Sequence, residues 1–202
     1  IFQGDGEPLL NPRFIDMVKY AREKGIRVSF FTNGILLDEN TARTILSLQL
    51  DEIFCSLPAG TKETYAKINI KQRPSTFWTI VKNMKRLMEL KKKMGLNFPR
   101  LQMTHVIHTI NYHEILEMAK IDAEIGTDCS RFYLIRLDKN VSFLKMKPDE
   151  FSILKVEVEK AIDFLSKTPI ILMDNINFQI NNYEETTGSW AKDTFLKMGC
   201  TI

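Results

Sequence analysis

Hydrophobic positions follow two alternating patterns along most of the chain. In some segments apolar residues recur every third or fourth position, which is typical of an amphipathic helix with one buried face. These segments cover residues 11–24, 38–48, 76–94, 111–126 and 148–165. Between them lie short runs rich in β-branched and aromatic residues, which favour strands. The predicted strands cover residues 26–31, 51–57, 100–108, 130–137 and 170–180.

Helices and strands in this order predict an α/β fold. The connections are short, and each helix is long enough to carry the chain back across a sheet, so we expect parallel strands. An apolar pair, Ile1 and Phe2, runs directly into a glycine-rich turn. This pair indicates one further strand that ends just before Gly4.

The composition fits a folded domain and narrows the classes of function. Of the 202 residues, 44% are hydrophobic and 26% are charged, which argues against an intrinsically disordered chain. Lys and Arg exceed Asp and Glu by 28 to 25, so no nucleic-acid partner is expected. No apolar run reaches the roughly 18 residues of a membrane span. Three widely spaced cysteines, Cys55, Cys129 and Cys200, argue against a disulfide framework and favour the reducing cytoplasm.

Four of the predicted strands end in small, polar loops. These loops cover residues 4–8, 32–34, 56–60 and 108–111. The carboxyl ends of parallel strands meet at one edge of a sheet, so the four loops are expected to lie together. Three of them contain glycine, which lets the backbone turn tightly and approach a ligand. Together they predict a cup suited to a polar, zwitterionic ligand.

Segments in this order resemble the radical S-adenosylmethionine (SAM) superfamily. "GDGEPLLNP" (4–12) resembles the GGEP loop after that family's second strand. "VSFFTNGILL" (28–37) resembles the third strand, which ends in TNG, and "LDEIFCSLPAGTKETYAKI" (50–68) resembles the fourth. "THVIHTINYHEILEMAKIDAEIGTD" (104–128) resembles the fifth strand and the helix after it. The resemblance extends from Ile1 to about Leu137.

The resemblance implies a set of SAM-binding residues. The loop after the second strand would lie along the methionine part of SAM, although Asp5 stands where the family more often has glycine. Glu7 would hold this loop or the amino group of SAM. Ser56 and Asn111 would approach the ribose or the carboxylate of SAM, and Arg136 would reach the adenine, the substrate or a nearby carboxylate of the protein. The implied residues are Gly4, Asp5, Gly6, Glu7, Pro8, Thr32, Asn33, Ser56, Asn111 and Arg136.

The resemblance also implies a [4Fe–4S] cluster whose ligands this chain lacks. The family holds the cluster with a CxxxCxxC loop after the first strand, which leaves one iron open for SAM. The 202 residues contain no such spacing. Cys55 and Cys129 fall within predicted strands and are expected to be buried, small apolar side chains. We therefore expect a partial (β/α)6 barrel, truncated at the N-terminus and unable to reduce SAM alone.

The C-terminal third is expected to complete the barrel and to lead into another region. We assign residues 1–140 to the partial radical SAM barrel and residues 141–202 to a helix–strand extension that closes it. The last residues, "FLKMGCTI" (195–202), resemble the entry to a cysteine-rich, SPASM-type extension. Cys200 would then be the first ligand of an auxiliary cluster; an incidental surface cysteine is the alternative.

The implied activity is that of a radical SAM enzyme. In full length it would use an electron, delivered by a flavodoxin or ferredoxin, to cleave SAM and form a 5′-deoxyadenosyl radical that takes a hydrogen atom from the substrate. A cysteine-rich extension would favour a peptide or protein substrate. Two alternatives remain open. One is a barrel lyase or aldolase with Asp5 or Glu7 as acid–base, and the other is a non-catalytic binding module.

Overall fold

Five parallel strands form one sheet. The computed structural model describes residues 1–4, 6–137, 139–184 and 189–190. The strands are β1 (Ser29–Thr32), β2 (Glu52–Ser56), β3 (Arg100–Ile107), β4 (Cys129–Leu134) and β5 (Ile171–Asp174). They lie side by side in sequence order, and all four pairings are parallel. Phe2 adds a parallel bridge beside β1, donating its N–H to the Ser29 carbonyl over 2.8 Å. The predicted α/β class and parallel sheet are confirmed.

Helices cover one face of this sheet. They are α1 (Phe14–Glu23), α2 (Glu39–Ser47), α3 (Lys62–Ile68), α4 (Ser75–Lys93), α5 (Ile115–Ile125), α6 (Pro148–Leu165) and α7 (Ile176–Asn181). Two short 3-10 helices, Pro8–Leu10 and Ser142–Leu144, and an antiparallel pair, β6 (Tyr183–Glu184) with β7 (Ser189–Trp190), complete the described elements. Alternate strand side chains such as Phe30, Ile53 and Leu101 are buried against the helices. None of the helices in the described ranges is both long and apolar enough to cross a membrane.

The opposite face of the sheet, which we call the inner face, carries the other strand side chains. Two of its cross-strand rows are Phe31–Phe54–Gln102 and Ser56–Thr104–Arg131. The rings of Phe31 and Phe54 stack with their centroids 4.5 Å apart. At the far edge Ile171 and Met173 keep 51% and 42% of their surface exposed. The inner face is therefore exposed at this edge, and in a barrel such a face lines the interior.

Two aspartates join neighbouring strands at the amino ends of the sheet, which we call the amino rim. Asp51, just before β2, donates its N–H to the Val28 carbonyl over 2.9 Å and accepts the Val28 N–H at 2.7 Å. Asp128, just before β4, forms the same reciprocal pair with Leu101, at 3.1 and 2.8 Å. Each carboxylate also pairs with a cation, and for Asp128 this is Lys91 at 2.7 Å. The two pairs fix strand register before the strands begin.

Replacing Asp128 with alanine is expected to reduce the free energy of unfolding by about 2–4 kcal/mol. The Lys91 side chain is only 7% exposed, so its ammonium would be left nearly buried without a counter-ion. Urea denaturation measures the loss. Asp16→Ala is the matched control, because Asp16 pairs with Arg13 at the exposed surface and should change stability by less than about 0.5 kcal/mol. Equal stability of the two variants would contradict the prediction.

The structure corrects the sequence prediction at two places. The strand predicted for residues 170–180 is wrong beyond Asp174, because residues 176–181 form α7. Ile176, Gln179 and Ile180 are buried at helical spacing, which a two-residue alternation over this short stretch does not distinguish. The helix predicted from residue 111 begins instead at Ile115. Here the N–H of Glu114 bonds the Asn111 carbonyl in a turn before the helix.

Candidate functional site

A cleft of about 390 Å³ opens at the carboxyl ends of β1 and β2. Its lining residues are Gly4, Gly6, Glu7, Phe31, Thr32, Asn33 and Ser56. A Cβ atom added to Gly4 or Gly6 meets no protein atom within 4 Å, so this loop presents its backbone to open space. The volume lies within the range of small-molecule sites, about 300–1,000 Å³. The cleft brings together most of the residues predicted to form a ligand site.

Glu7 holds the first two loops of the cleft together. One carboxylate oxygen accepts the Thr32 hydroxyl at 2.9 Å and the Leu9 N–H at 3.2 Å. The other oxygen accepts the Asn33 N–H at 2.7 Å. Thr32 in turn fixes the turn that follows β1, because its own hydroxyl oxygen accepts the Gly34 N–H at 3.0 Å. The predicted loop-holding role of Glu7 is the one its contacts support.

Buried polar side chains of β3 and α5 fix the loop that follows Ser56. Nδ1 of His105 donates to the Leu57 carbonyl over 2.7 Å, and its Nε2 donates to Asp122 over 3.0 Å. Both ring nitrogens face acceptors, so the ring carries two protons. The Ser130 hydroxyl donates to the same Asp122 oxygen, and all three side chains are fully buried.

The charge of Asp122 stabilises the protonated form of His105. Burial by itself disfavours the charged ring, since a charge loses hydration in the interior. The negative charge of Asp122 and the hydrogen bonds to Asp122 and to the Leu57 carbonyl outweigh that cost, and the pKa of His105 is raised. This buried ion pair therefore anchors the residue next to Ser56 at the edge of the cleft.

Glu114 fastens the same loop three residues farther along. Its carboxylate accepts the Gly60 N–H at 2.9 Å and the hydroxyls of Thr61 and Thr64 at 2.7 and 2.6 Å. A Cβ atom on Gly60 would lie 2.8 Å from the Glu117 Cβ and 3.0 Å from the Glu114 carbonyl oxygen. Only glycine allows this approach to α5. The loop at the carboxyl end of β2 is thus held rigidly from one side.

Comparison with known families shows the family of this chain. The family model described as "Radical SAM superfamily" matches residues 1–121, more than half of the chain. The chain belongs to the radical SAM superfamily. The matched range includes every lining residue of the cleft, together with His105 and Glu114.

Curated radical SAM relatives match part of the chain. It is 26% identical over 132 residues to the tungsten-containing aldehyde ferredoxin oxidoreductase cofactor-modifying protein of Pyrococcus furiosus, covering 63% of this chain and 35% of that protein. It is 32% identical over 98 residues to the Fe-coproporphyrin III synthase of Methanosarcina barkeri, covering 48% and 24%. The chain therefore matches about a third or less of the length of these relatives.

Solved structures share the radical SAM fold. SuiB of Streptococcus suis bound to S-adenosylmethionine superposes with a TM-score of 0.62 and 17% identity, covering 83% of this chain and 37% of SuiB. The structure of anSMEcpe with bound AdoMet gives 0.59 and 21% identity, covering 85% and 46%. The five-stranded sheet with its outer helices is the partial barrel that the sequence predicted.

The residues present fit one of the two radical SAM cofactors. The open backbone at Gly4 and Gly6 and the small polar side chains around the cleft suit SAM. The [4Fe–4S] cluster does not fit the described residues, among which no group of three or more potential metal ligands occurs. Cys55 is fully buried. Burial is the main cause that raises the pKa of its thiol, and the nearby negative charges of Glu7 and Asp122 raise it further. Both Cys55 and Cys129 are buried, as predicted.

The remaining predicted site residues do not line the cleft. Pro8 borders a separate surface pocket of about 320 Å³ next to it. Asn111 is fully buried, and its amide donates to the Pro58 and Val106 carbonyls over 2.9 and 2.8 Å while accepting the His108 N–H. It therefore helps His105 and Glu114 to fix the loop. Arg136 is exposed beyond β4. Asp5 and Cys200 lie outside the described residues.

Sequence reasoning missed the residues that fix the loop. The hydrophobic period predicts His105 on a strand and residue 122 within a helix, but it does not indicate that they pair. One signal was available, because Asp122 stands directly after Ile121 and three residues before Ile125 on the buried stripe of α5. A carboxylate at such a position requires a buried partner. Its partner could not be named without the fold.

Proposed function

We propose that this chain forms the SAM-binding part of a radical SAM enzyme. The observation that carries the proposal is the cleft itself, in which the Gly4–Glu7 loop, Thr32, Asn33 and Ser56 meet at the carboxyl ends of adjacent strands. Membership of the superfamily, whose cofactors are SAM and a [4Fe–4S] cluster, supports the choice of SAM over other polar ligands.

In this proposal the chain's own groups bind and orient SAM. The backbone carbonyls of Gly4 and Gly6 accept hydrogen bonds from the amino group of the methionine part. Glu7 keeps that loop in register with Thr32 and Asn33, which form the floor of the cleft. Ser56 offers a hydroxyl to the ribose or carboxylate, at the end of a strand that His105 and Glu114 hold in place. This rigidity is pre-organisation, which reduces the entropy lost on binding.

Bound SAM in this superfamily supplies the 5′-deoxyadenosyl radical that takes a hydrogen atom from the substrate. In the full-length enzyme a flavodoxin or ferredoxin would supply the required electron. We further propose a peptide substrate, since a fold neighbour, SuiB, is described bound to the precursor peptide SuiA.

Isothermal titration calorimetry with SAM tests the proposal on the chain as it is. We expect one SAM to bind per chain. Gly6→Val would place a side chain in the cleft and should weaken binding about 10-fold or more. Ser47→Val on the exposed end of α2 is the control and should bind SAM like the unaltered chain. Absence of binding, or full binding by the Gly6 variant, would overturn the proposal.

A further inference from the structure

Two buried hydrogen-bond donors on the inner face have no acceptor among the residues that the structure describes. Gln102 is 7% exposed, and its Nε2 has no hydrogen-bond partner among the described residues. The Nε of Arg131 is likewise buried and without a partner in the described part of the chain. Leaving a buried donor unpaired costs about 1–3 kcal/mol, and more for a charged group. Such donors are rare, so two on one face indicate an acceptor that arrives from outside.

The two donors are neighbours beside the SAM cleft. Gln102 pairs across the sheet with Cys129, two residues before Arg131 on β4, so their Cα atoms lie about 8 Å apart. Long side chains bridge that distance. Arg131 shares a cross-strand row with Thr104 and Ser56, which places it about 10 Å from the cleft-lining Ser56. One ligand, or two ligands in contact, can reach both places.

The charge of Arg131 is not balanced within the described structure. None of the carboxylates among the described side chains lies within 4.0 Å of its guanidinium. Glu52 shares the inner face but stands four residues nearer the amino rim than the Ser56–Thr104–Arg131 row, about 13 Å along the strand. The ring of Tyr133, 5.6 Å from the guanidinium, supports the cation without neutralising it.

We infer that Gln102 and Arg131 receive a carboxylate of a molecule bound at the inner face. A carboxylate brings a negative charge for Arg131 and two planar acceptor oxygens for the two donors. Either SAM supplies it, through its methionine part, or the substrate does, through an acidic side chain or a peptide C-terminus. The inference rests on the proposed function, because the carboxylate belongs to a ligand of the same cleft and inner face.

Two-dimensional ¹H–¹⁵N NMR of the side-chain Nε resonances of Arg131 and Gln102 tests the inference. Arg131→Lys and Gln102→Leu assign the two signals by their disappearance. The probes are SAM and decarboxylated SAM, and N-acetylglycine and N-acetylglycinamide. Within each pair only the first compound carries a carboxylate. Backbone amides of Gly4, Gly6 and Asn33 in the same spectra report separately whether SAM occupies the cleft.

Each outcome of the titrations decides the inference. Shifts of both side-chain signals with SAM but not with decarboxylated SAM identify SAM as the source of the carboxylate. Shifts with N-acetylglycine but not with its amide identify the substrate. No shift with either carboxylate, or equal shifts with the amide, would overturn the inference. The proposed function fails separately if SAM leaves the Gly4, Gly6 and Asn33 amides unchanged.

The affinities of variants for the same probes test the inference quantitatively. Arg131→Gln should weaken the affinity for the responding carboxylate probe about 10-fold or more, because a charged hydrogen bond is lost. The same variant should leave the affinity for the probe without a carboxylate unchanged. Arg43→Gln on α2, where Arg43 pairs with Glu39 at the exposed surface, is the matched control and should change neither affinity by more than about twofold. Equal losses for both probes would contradict a carboxylate contact.

Discussion

Replacing Glu7 with alanine is expected to weaken SAM binding about 100-fold. The change removes two hydrogen bonds, to Thr32 and Asn33, that hold the Gly4–Glu7 loop against the end of β1, and a local one to the Leu9 N–H. Without them the two loops are free to separate, and SAM must order both on binding. Both carboxylate oxygens of Glu7 already accept hydrogen bonds from the protein. The expected loss of affinity therefore comes mainly from the entropy of ordering the two loops, and not from a lost contact with SAM.

Calorimetry on three variants separates loop ordering from charge. Glu7→Ala should lose most of the affinity, and Glu7→Gln should retain part of it, because an amide oxygen still accepts from Thr32. Glu89→Ala, a change of the same type at an exposed position of α4, serves as the control. If Glu7→Ala binds SAM within about threefold of the unaltered chain, Glu7 is not needed to order the loops.

Replacing Asp122 with alanine is expected to reduce the free energy of unfolding by about 3–5 kcal/mol. The change leaves the His105 ring without its counter-ion in a fully buried site and removes the acceptor of the Ser130 hydroxyl. Chemical denaturation measures the loss. Asp163→Ala is the control, because Asp163 pairs with Lys167 at the surface with 69% of each side chain exposed. A loss below about 1 kcal/mol would contradict a stabilising role for the pair.

The pH dependence of the stability of the unaltered chain tests the same pair. The folded state keeps the proton of His105 above the ordinary histidine pKa of about 6.5, so it binds more protons than the unfolded chain. The stabilisation is complete below that value and is lost as pH rises through the raised pKa, by about 1.4 kcal/mol per pH unit. Asp122→Asn removes the charge, and its slope in this interval should be smaller.

The general fold could be predicted from sequence because burial on one face imposes a period. Phe14 and Val18 on α1, and Ile80, Met84 and Leu87 on α4, are buried at the spacing that predicted those helices. The cleft could be predicted for a related reason. Parallel strands deliver the loops after them to one edge, so Gly4, Thr32 and Ser56 had to meet once the strands were known.

Short elements lacked enough residues to show a period. The helix α3, Lys62–Ile68, was not predicted, although Thr61 caps it through the Thr64 N–H at 3.2 Å. The helix α7 spans six residues, and Ile176 and Ile180 fit an alternating strand as well as one helical turn. Their contacts with the rest of the chain decide between these possibilities, and local sequence does not contain those contacts.

Buried polar partners could not be predicted, because pairing depends on the packed structure. Glu114 occupies a position where a carboxylate is common, just before a helix. It nevertheless accepts hydrogen bonds from three residues that lie 50 to 54 positions earlier in the chain. His105 and Asp122 are 17 residues apart and meet only because α5 returns over β3. Their types were visible in the sequence, but their partners were not.

The reciprocal pair of Asp51 with Val28 allows the two ends of β2 to change independently. Asp51 and Ser56 stand at opposite ends of β2, about 16 Å apart, so the amino rim and the cleft share no contacts through this strand. Substitutions around Asp51 should therefore alter the melting temperature and leave the affinity for SAM unchanged. An engineered, more heat-resistant form of this chain is best sought at the amino rim, where Arg22 and Arg27 already converge on Asp51.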